Sequence, residues 1–243
     1  MNQIEELQQL INNANHIVVI TGAGISTASG IPDIRSANGA ANNKDLLKKY
    51  KYGYETIVSH TFFMERTDEF YRYYKEVMIF KDAKPNIAHK YLAKLEQRKD
   101  VTIITQNIDG LHTVAGSKKV IEFHGSTQRN TCMDCGEKYT LEDVLAQEGT
   151  PHCKKCGGII KPDVVLFEEG IDYQAIHDSV YATEHADLLI VIGSSLVVYP
   201  AAGIPNYFHG ENIAIINRDP TQLDQYAKVV IHDDIKKVFE QLY

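Results

Sequence analysis

The sequence predicts an α/β fold: a parallel sheet covered by helices on both faces and interrupted by a small inserted module. Three observations carry this expectation. Short runs of Val and Ile alternate with helix-patterned segments, as in a sheet buried on both sides. Near the N-terminus a strand runs directly into a glycine turn, the opening of a nucleotide-binding α/β unit. All four cysteines of the 243 residues fall within 132–156, a stretch that breaks the alternation.

The elements follow in order. Residues 3–14, QIEELQQLINNA, space Ile4, Leu7, Leu10 and Ile11 at helical intervals. Ile17 to Ile20 form a short buried strand, and TGAGISTASG supplies a turn and a segment able to start a helix. Residues 36–54 are rich in Asn, Gly, Lys and Tyr, and their first half reads as a mobile loop. Residues 61–80 are aromatic-rich and read as helical. PNIAHKYLAKLEQR (85–98) predicts a helix with Pro85 in its first turn and Ile87, Tyr91, Leu92 and Leu95 on one face. VTIIT (101–105) and VIEFHG (120–125) read as strands. Beyond the cysteines come KPDVVLF (161–167), a helical stretch near 173–184, and strands at 187–193, 212–217 and 228–231. DDIKKVFEQL closes the pattern as a helix.

Composition narrows the function classes. Lys plus Arg is 25 against 32 Asp plus Glu, a net charge of −7. No basic cluster marks a nucleic-acid footprint, and the acidic balance argues against a general phosphate-backbone binder. The longest apolar runs, HIVVIT and DLLIVIG, fall far short of the ~20 residues that span a bilayer, so no membrane partner is expected. The polar N-terminus shows no secretory pattern. With paired cysteines that read as metal ligands, the expected location is the cytoplasm.

Cys132, Cys135, Cys153 and Cys156 form C-x2-C-x17-C-x2-C, which fits a zinc template. Thiolates three residues apart on a tight turn can reach one ion, and Gly136 and Gly157 relieve crowding as each turn closes. Four cysteines make a closed tetrahedron with no position left for water or substrate. One structural zinc is expected, and the chemistry must lie elsewhere. His152, beside Cys153, reads as a surface histidine.

VVITGAGISTASGIP carries Gly22, Gly24 and Gly30, which would let backbone N–H groups approach a phosphate. The dehydrogenase fingerprint wants its third glycine where Thr27 stands, and no clear acidic ribose ligand follows about 20 residues on. The motif points to a phosphate or dinucleotide rather than to hydride transfer, with a plain tight turn as the alternative. Polar clusters then gather at strand ends, where open α/β sheets bind ligands. They are Gln106, Asn107 and Asp109 in TQNIDGLH, His124 in EFHG, Ser194 and Ser195 in GSSL, and Asn217 in INRD.

Taken together, GAGISTASGIPDIR, TQNIDGLH, FHG, the paired cysteines, KPDVVLFEE, GSSLVVYPAA and the IN at 216–217 resemble the sirtuins, NAD-dependent protein lysine deacylases. The resemblance is to the bacterial type with a single catalytic core, and it covers nearly the whole chain. It implies a Rossmann-like domain of residues 1–35, 88–125 and 160–243. A cofactor-binding loop and helical insertion would occupy 36–87, and a zinc module 126–159. NAD would be consumed as a co-substrate beside an acyl-lysine protein or peptide. Gly22, Ala23, Gly24, Thr27, Ile34 and Arg35 would line the phosphate and ribose region. Gln106 and Asn107 would hold the nicotinamide ribose, and Ile108 and Asp109 would receive nicotinamide. Ser194, Ser195, Asn217 and Ile235 would surround the adenosine half, while Val165 and Phe167 would flank the acyl-lysine.

By the same resemblance, His124 with Asn107 would carry catalysis, His124 as general base on a ribose hydroxyl. The products would be nicotinamide, free lysine and O-acyl-ADP-ribose. An ADP-ribosyltransferase using the same site, or a non-catalytic NAD and acyl-lysine sensor, are the alternatives. The chain departs from the family pattern at Ile34, where phenylalanine is usual, at Glu168, where glycine is usual, and at Leu166, where an aromatic is common. FYRYYKEV also lacks the Tyr-x-x-Arg that accompanies a preference for acidic acyl groups, so neutral acyl groups are expected.

Overall fold

Runs of β-branched residues become the middle of a parallel sheet. The computed structural model describes residues 2–36 and 39–242. In chain order its strands are β1 (His16–Thr21), β2 (Asp100–Thr105), β3 (Val120–Glu122), β4 (Gly125–Cys132), β5 (Lys138–Thr140), β6 (Ile160–Val164), β7 (Leu188–Ile192), β8 (Ile213–Ile216) and β9 (Val229–Ile231). Six of them form one parallel sheet in the order β3-β2-β1-β7-β8-β9. The chain begins at β1, builds outward to β3, then returns to the other side of β1 for β7 to β9. That reversal opens a crevice at the carboxyl ends of β1, β2 and β7, the place where such sheets bind ligands. Thr21 pairs with both Thr105 and Ile192, so the loops leaving these strands start at one level.

Side chains alternate across the sheet. Ile17 and Val19 join Ile103 and Ile190 on one face, and Val18 and Ile20 join Ile104 and Val191 on the other. Helices Gln3–Asn13, Ile87–Leu95 and Ile235–Leu242 cover the first face. Helix Tyr173–Glu184 and the 3-10 helix Ala201–Tyr207 cover the second. Leu7, Leu92 and Val238 are wholly buried, each stabilising the fold by about 1.5–3 kcal/mol. Helix starts follow their caps. The Asn2 side chain accepts from Glu5 N at 2.8 Å, and that of Asn86 accepts from Ala88 N at 2.9 Å. Pro85 therefore lies just outside the first turn it was expected to begin.

The aromatic stretch folds as helices His60–Glu65 and Thr67–Tyr73 and a π-helical turn, Tyr74–Met78. Helix Lys44–Tyr50 precedes them, capped by Asn43. Ala37 and Asn38, within the expected mobile stretch, lie outside the described residues. The strand expected over 120–125 stops at Glu122, turns at Phe123 and His124, and resumes as β4.

Two expected boundaries change. Residues 160–164, assigned by resemblance to the large domain, instead form β6, which pairs antiparallel with β4 in a three-stranded sheet. The helical insertion and the cysteine module also share one core. Tyr50, Phe63, Phe70, Tyr71, Tyr73 and Tyr74 pack with Cys132, Val144, Cys153, Ile160 and Val164. Edge-to-face ring pairs such as Phe63–Phe70, 5.0 Å between centroids, add about 0.5–1.5 kcal/mol each beyond burial. The Tyr71 hydroxyl donates to the Ile160 carbonyl, and Lys75 Nζ donates to the carbonyls of Gln147 and Gly149. The segments 50–79 and 132–166 thus share one core apart from the large sheet. Among the described residues, no helix is long and apolar enough to cross a membrane.

Candidate active site and metal centre

Between the large sheet and this second core lies a cleft of about 1680 Å³. Every residue expected to serve catalysis, NAD or the acyl-lysine lines it, including His124, Arg35, Ser195, Val165 and Phe167, while Gly30 of the glycine motif does not. These positions are spread over more than 200 residues of chain, and the crevice at the strand ends gathers them.

The glycine loop serves packing first. Gly22 N donates to Ile192 O at 3.1 Å and Gly24 N to Gly193 O at 2.9 Å. A β-carbon on Gly22 would meet Gly193 O at 2.7 Å, and one on Gly24 would meet Gly193 Cα at 2.7 Å. Glycine is required here because two backbones cross, and both N–H groups are already donated. Ala23 and Thr27 follow on the 3-10 helix Ala23–Ser29, which faces the cleft.

The turn after β2 is held by its own polar groups. Gln106 Nε2 donates to Ser194 Oγ at 2.8 Å, joining the β2 and β7 loops. Asn107 Nδ2 lies 3.0 Å from Gly22 O and 3.2 Å from Ser26 Oγ. Ser26 Oγ donates to Asp109 Oδ2 at 2.7 Å, and Leu111 N donates to Asp109 Oδ1 at 2.9 Å. Burial raises the Asp109 carboxyl above the usual carboxylate range, while the Ser26 and Leu111 bonds pull it down.

Ser26 was not among the sequence candidates. Only the need of a half-buried carboxylate for donors could have pointed to it. His89 was also missed. Asn86 N–H donates to its Nδ1 at 3.3 Å, so its proton sits on Nε2, 3.5 Å from Ser26 Oγ.

His124 sits at the turn between β3 and β4. Its Nδ1 lies 2.9 Å from the Gln106 carbonyl, which can only accept. The ring proton is therefore on Nδ1, and the Nε2 lone pair is free. Burial lowers the pKa of His124, with Arg35 pushing the same way against the Gln106 bond. Val165 N donates to His124 O at 2.9 Å, holding the apolar wall beside the imidazole. The Phe167 ring meets Tyr54 edge-on at 6.3 Å. At the far end Ser194 and Asn217 are buried and Ser195 is exposed; Asn217 Nδ2 donates to Asp219 O at 2.7 Å.

Beneath the site His89 and His112 pack 4.8 Å apart, both wholly buried. Burial pushes His89 down to about 4, and burial with the neighbouring His89 pushes His112 down to about 3. The unfolded chain therefore takes up protons that the folded protein refuses. This part of the stability is complete above pH ~6.5 and falls as the pH drops, by about 2 kcal/mol for each ring at pH 5. Melting temperatures between pH 7 and pH 5 test this. His112→Asn should flatten the decline, and an unaltered slope would place the acid sensitivity elsewhere.

The four cysteine sulfurs lie within 4.8 Å of one another, with Cys132–Cys156 at 3.4 Å and Cys135–Cys153 at 3.6 Å. A zinc ion bound at about 2.3 Å by four thiolates spaces them about 3.8 Å apart, so the residues fit the metal. Gly136 and Gly157 have φ of 75° and 80°, the left-handed turn that closes each pair. His152 is exposed and turns its Nδ1 to Gly157 O, 3.0 Å away, outside the sulfur cluster.

Known proteins share this architecture throughout. A Clostridium acetobutylicum protein named NAD-dependent protein deacetylase is 52% identical over 242 residues, covering 99% of this chain and 98% of its own. The solved structure described as "Sir2-p53 peptide-NAD+" superposes with a TM-score of 0.86 at 38% identity, covering 100% of this chain and 97% of that one. A Sir2 structure with the inhibitor EX-527, 2'-O-acetyl-ADP-ribose and deacetylated p53 peptide gives 0.84 at 39% identity, over 98% and 96%. The family model described as "Sir2 family" matches residues 22–200, from the glycine loop to Pro200 within GSSLVVYPAA. With the cysteine centre, His124 and the β2 turn all inside that match, the chain belongs to the Sir2 family.

Proposed function

We propose that this protein is an NAD-dependent protein lysine deacylase that cleaves NAD and moves the acyl group from lysine to ADP-ribose. One observation carries the reading. His124 is fixed by the Gln106 carbonyl with its basic Nε2 free, in the same cleft as the half-buried Asp109 carboxylate. A carboxylate partly withdrawn from water, whose desolvation disfavours its charge, is a strong acceptor for N–H donors, and a carboxamide supplies them. The names of the relatives and neighbours, with their NAD, acetyl-ADP-ribose and p53 peptide, support the same reading.

Bound NAD supplies an electrophilic ribose carbon once nicotinamide departs. Asp109 accepts from the nicotinamide carboxamide, with Ile108 against its ring. Gln106 and Asn107 orient the ribose. His124 Nε2 removes a proton from a ribose hydroxyl, a task suited to a neutral imidazole at working pH. Gly22, Ala23, Gly24, Thr27 and Arg35 line the phosphate region, and Ser194, Ser195, Asn217 and Ile235 the adenosine half. Val165 and Phe167 flank an acyl-lysine, and Val77 gives the cleft an apolar lining where an arginine would favour acidic acyl groups. The protein would act in the cytoplasm, where thiols stay reduced and available to zinc.

Mass spectrometry of acyl-lysine peptides incubated with NAD tests the reading. The expected products are peptide with its lysine freed of the acyl group, nicotinamide and O-acyl-ADP-ribose. ADP-ribose on protein would instead mark a transferase, and no nicotinamide release a sensor.

Ile34 carries a further expectation. It is half-buried at the cleft, and its carbonyl accepts from Ala41 N at 3.0 Å. A branched aliphatic chain shields less of the reacting ribose carbon than the family's flat aromatic ring. Nicotinamide should therefore re-enter readily, giving a high ratio of nicotinamide exchange to deacylation. Ile34→Phe should lower that ratio, measured by labelled nicotinamide entering NAD. An unchanged ratio in the folded variant would make Ile34 a packing residue only.

A further inference from the structure

Glu168 stands at φ +75°, a left-handed conformation that side-chain-bearing residues rarely adopt. Residues held this way persist only where their surroundings over-determine them. Glycine would occupy the position without strain but would bring no carboxylate. Here the carboxylate has a definite partner: Thr61 N donates to Glu168 Oε2 at 2.8 Å. The contact belongs to a dense seam. Phe167 N donates to Val58 O at 3.0 Å, and His60 N donates to Phe167 O at 2.9 Å. Glu169 takes His60 Nδ1 at 2.9 Å, Leu166 N at 2.9 Å and Lys161 Nζ at 3.2 Å. Residues 166–169 are thereby fastened to 58–61, and Phe167, one third exposed, stands in the cleft between these contacts.

Glu169 is tied mainly within its own segment and to His60. Glu168 alone reaches the Thr61 amide, two residues beyond Ser59 of the backbone bridge between Ser59 and Phe167. It extends that bridge and stops the chain after Phe167 from peeling away. We propose that Glu168 is a positioning residue for the acyl-lysine channel, clamping the Phe167 wall against residues 59–61 so that the substrate side chain meets a preformed surface. This rests on the deacylase reading, and it concerns the peptide rather than NAD, because among the described residues Glu168 makes no hydrogen bond or ion pair to the turn after β2 or to the glycine loop.

Three variants separate the parts. Glu168→Ala keeps the strained backbone and removes the acceptor. Glu168→Gly removes both strain and acceptor. Glu168→Gln keeps an oxygen able to accept from Thr61. With an acetyl-lysine peptide and NAD, Glu168→Ala and Glu168→Gly should raise the peptide KM by about tenfold, the order expected for losing one charge-assisted hydrogen bond. The NAD KM should stay put, kcat should stay within about twofold, and Glu168→Gln should recover most of the peptide KM. Amide exchange at Phe167 and His60 should quicken in Glu168→Ala and not in Glu168→Gln. An unmoved peptide KM, a parallel rise in both KM values, unchanged exchange, or failure of glutamine to rescue each overturns the clamp. Wild-type protein that deacylates no acyl peptide removes the deacylase reading and this role with it. Normal turnover with an unmoved KM removes the role of Glu168 alone.

Discussion

His124→Ala is expected to leave folding and NAD binding intact while cutting deacylation by roughly two to four orders of magnitude, the usual worth of a positioned general base. The ring projects into the cleft from a turn, and its hydrogen bond is to a backbone carbonyl that solvent can satisfy once the imidazole is gone. The pH profile provides a second check. Burial holds the folded pKa of His124 below the ordinary ~6.5 of histidine, so the neutral, basic form survives to lower pH. The acid limb of kcat/KM should fall below pH ~6.5, and His124→Ala should abolish that limb in whatever activity remains. Near-normal turnover in the variant would move the base elsewhere.

Cys132→Ala or Cys156→Ala is expected to empty the metal site and lower the melting temperature sharply. Zinc binding by four thiolates is folding free energy, about 10–16 kcal/mol in isolated zinc peptides. Here Cys132 and Cys153 are also buried within the core that holds Tyr71 and Phe70. Loss of the ion should therefore loosen the helical insertion as well as the module, and with it one wall of the cleft. Metal content by plasma mass spectrometry and a thermal melt measure the effect. A metal-free Cys153→Ala protein that stays folded and active would overturn the structural assignment.

Much of the large sheet was legible because both its faces are covered. Burial on two sides leaves continuous Val and Ile runs such as Ile17–Ile20 and 101–105, and these survive reading from one sequence. The error at β6 has a readable cause. Ile160, Pro162 and Val164 are buried while Lys161 and Asp163 are not, the alternation of a strand covered on one face. That period of two belongs to a small antiparallel sheet, and KPDVV carried it. His124 was legible by its place at a strand end. Ser26 and His89 were not, because Ser26 finds Asp109 across 83 residues and His89 across 63. The glycine loop was legible as a phosphate-site motif, but its packing partner Gly193, far along the chain, was not, because local sequence says nothing of that crossing.

The core shared by segments 50–79 and 132–166 sets an order of events during synthesis. Tyr71 and Tyr74 leave the ribosome about 90 residues before Leu166, the last of the residues they pack against. At about 5–20 residues per second, those rings wait roughly 5–20 s for their partners. Through that interval the nascent chain displays an aromatic cluster with nothing to close it. A ribosome stall after Tyr74 has emerged and before Leu166 has followed would prolong the display and the need for a holding chaperone.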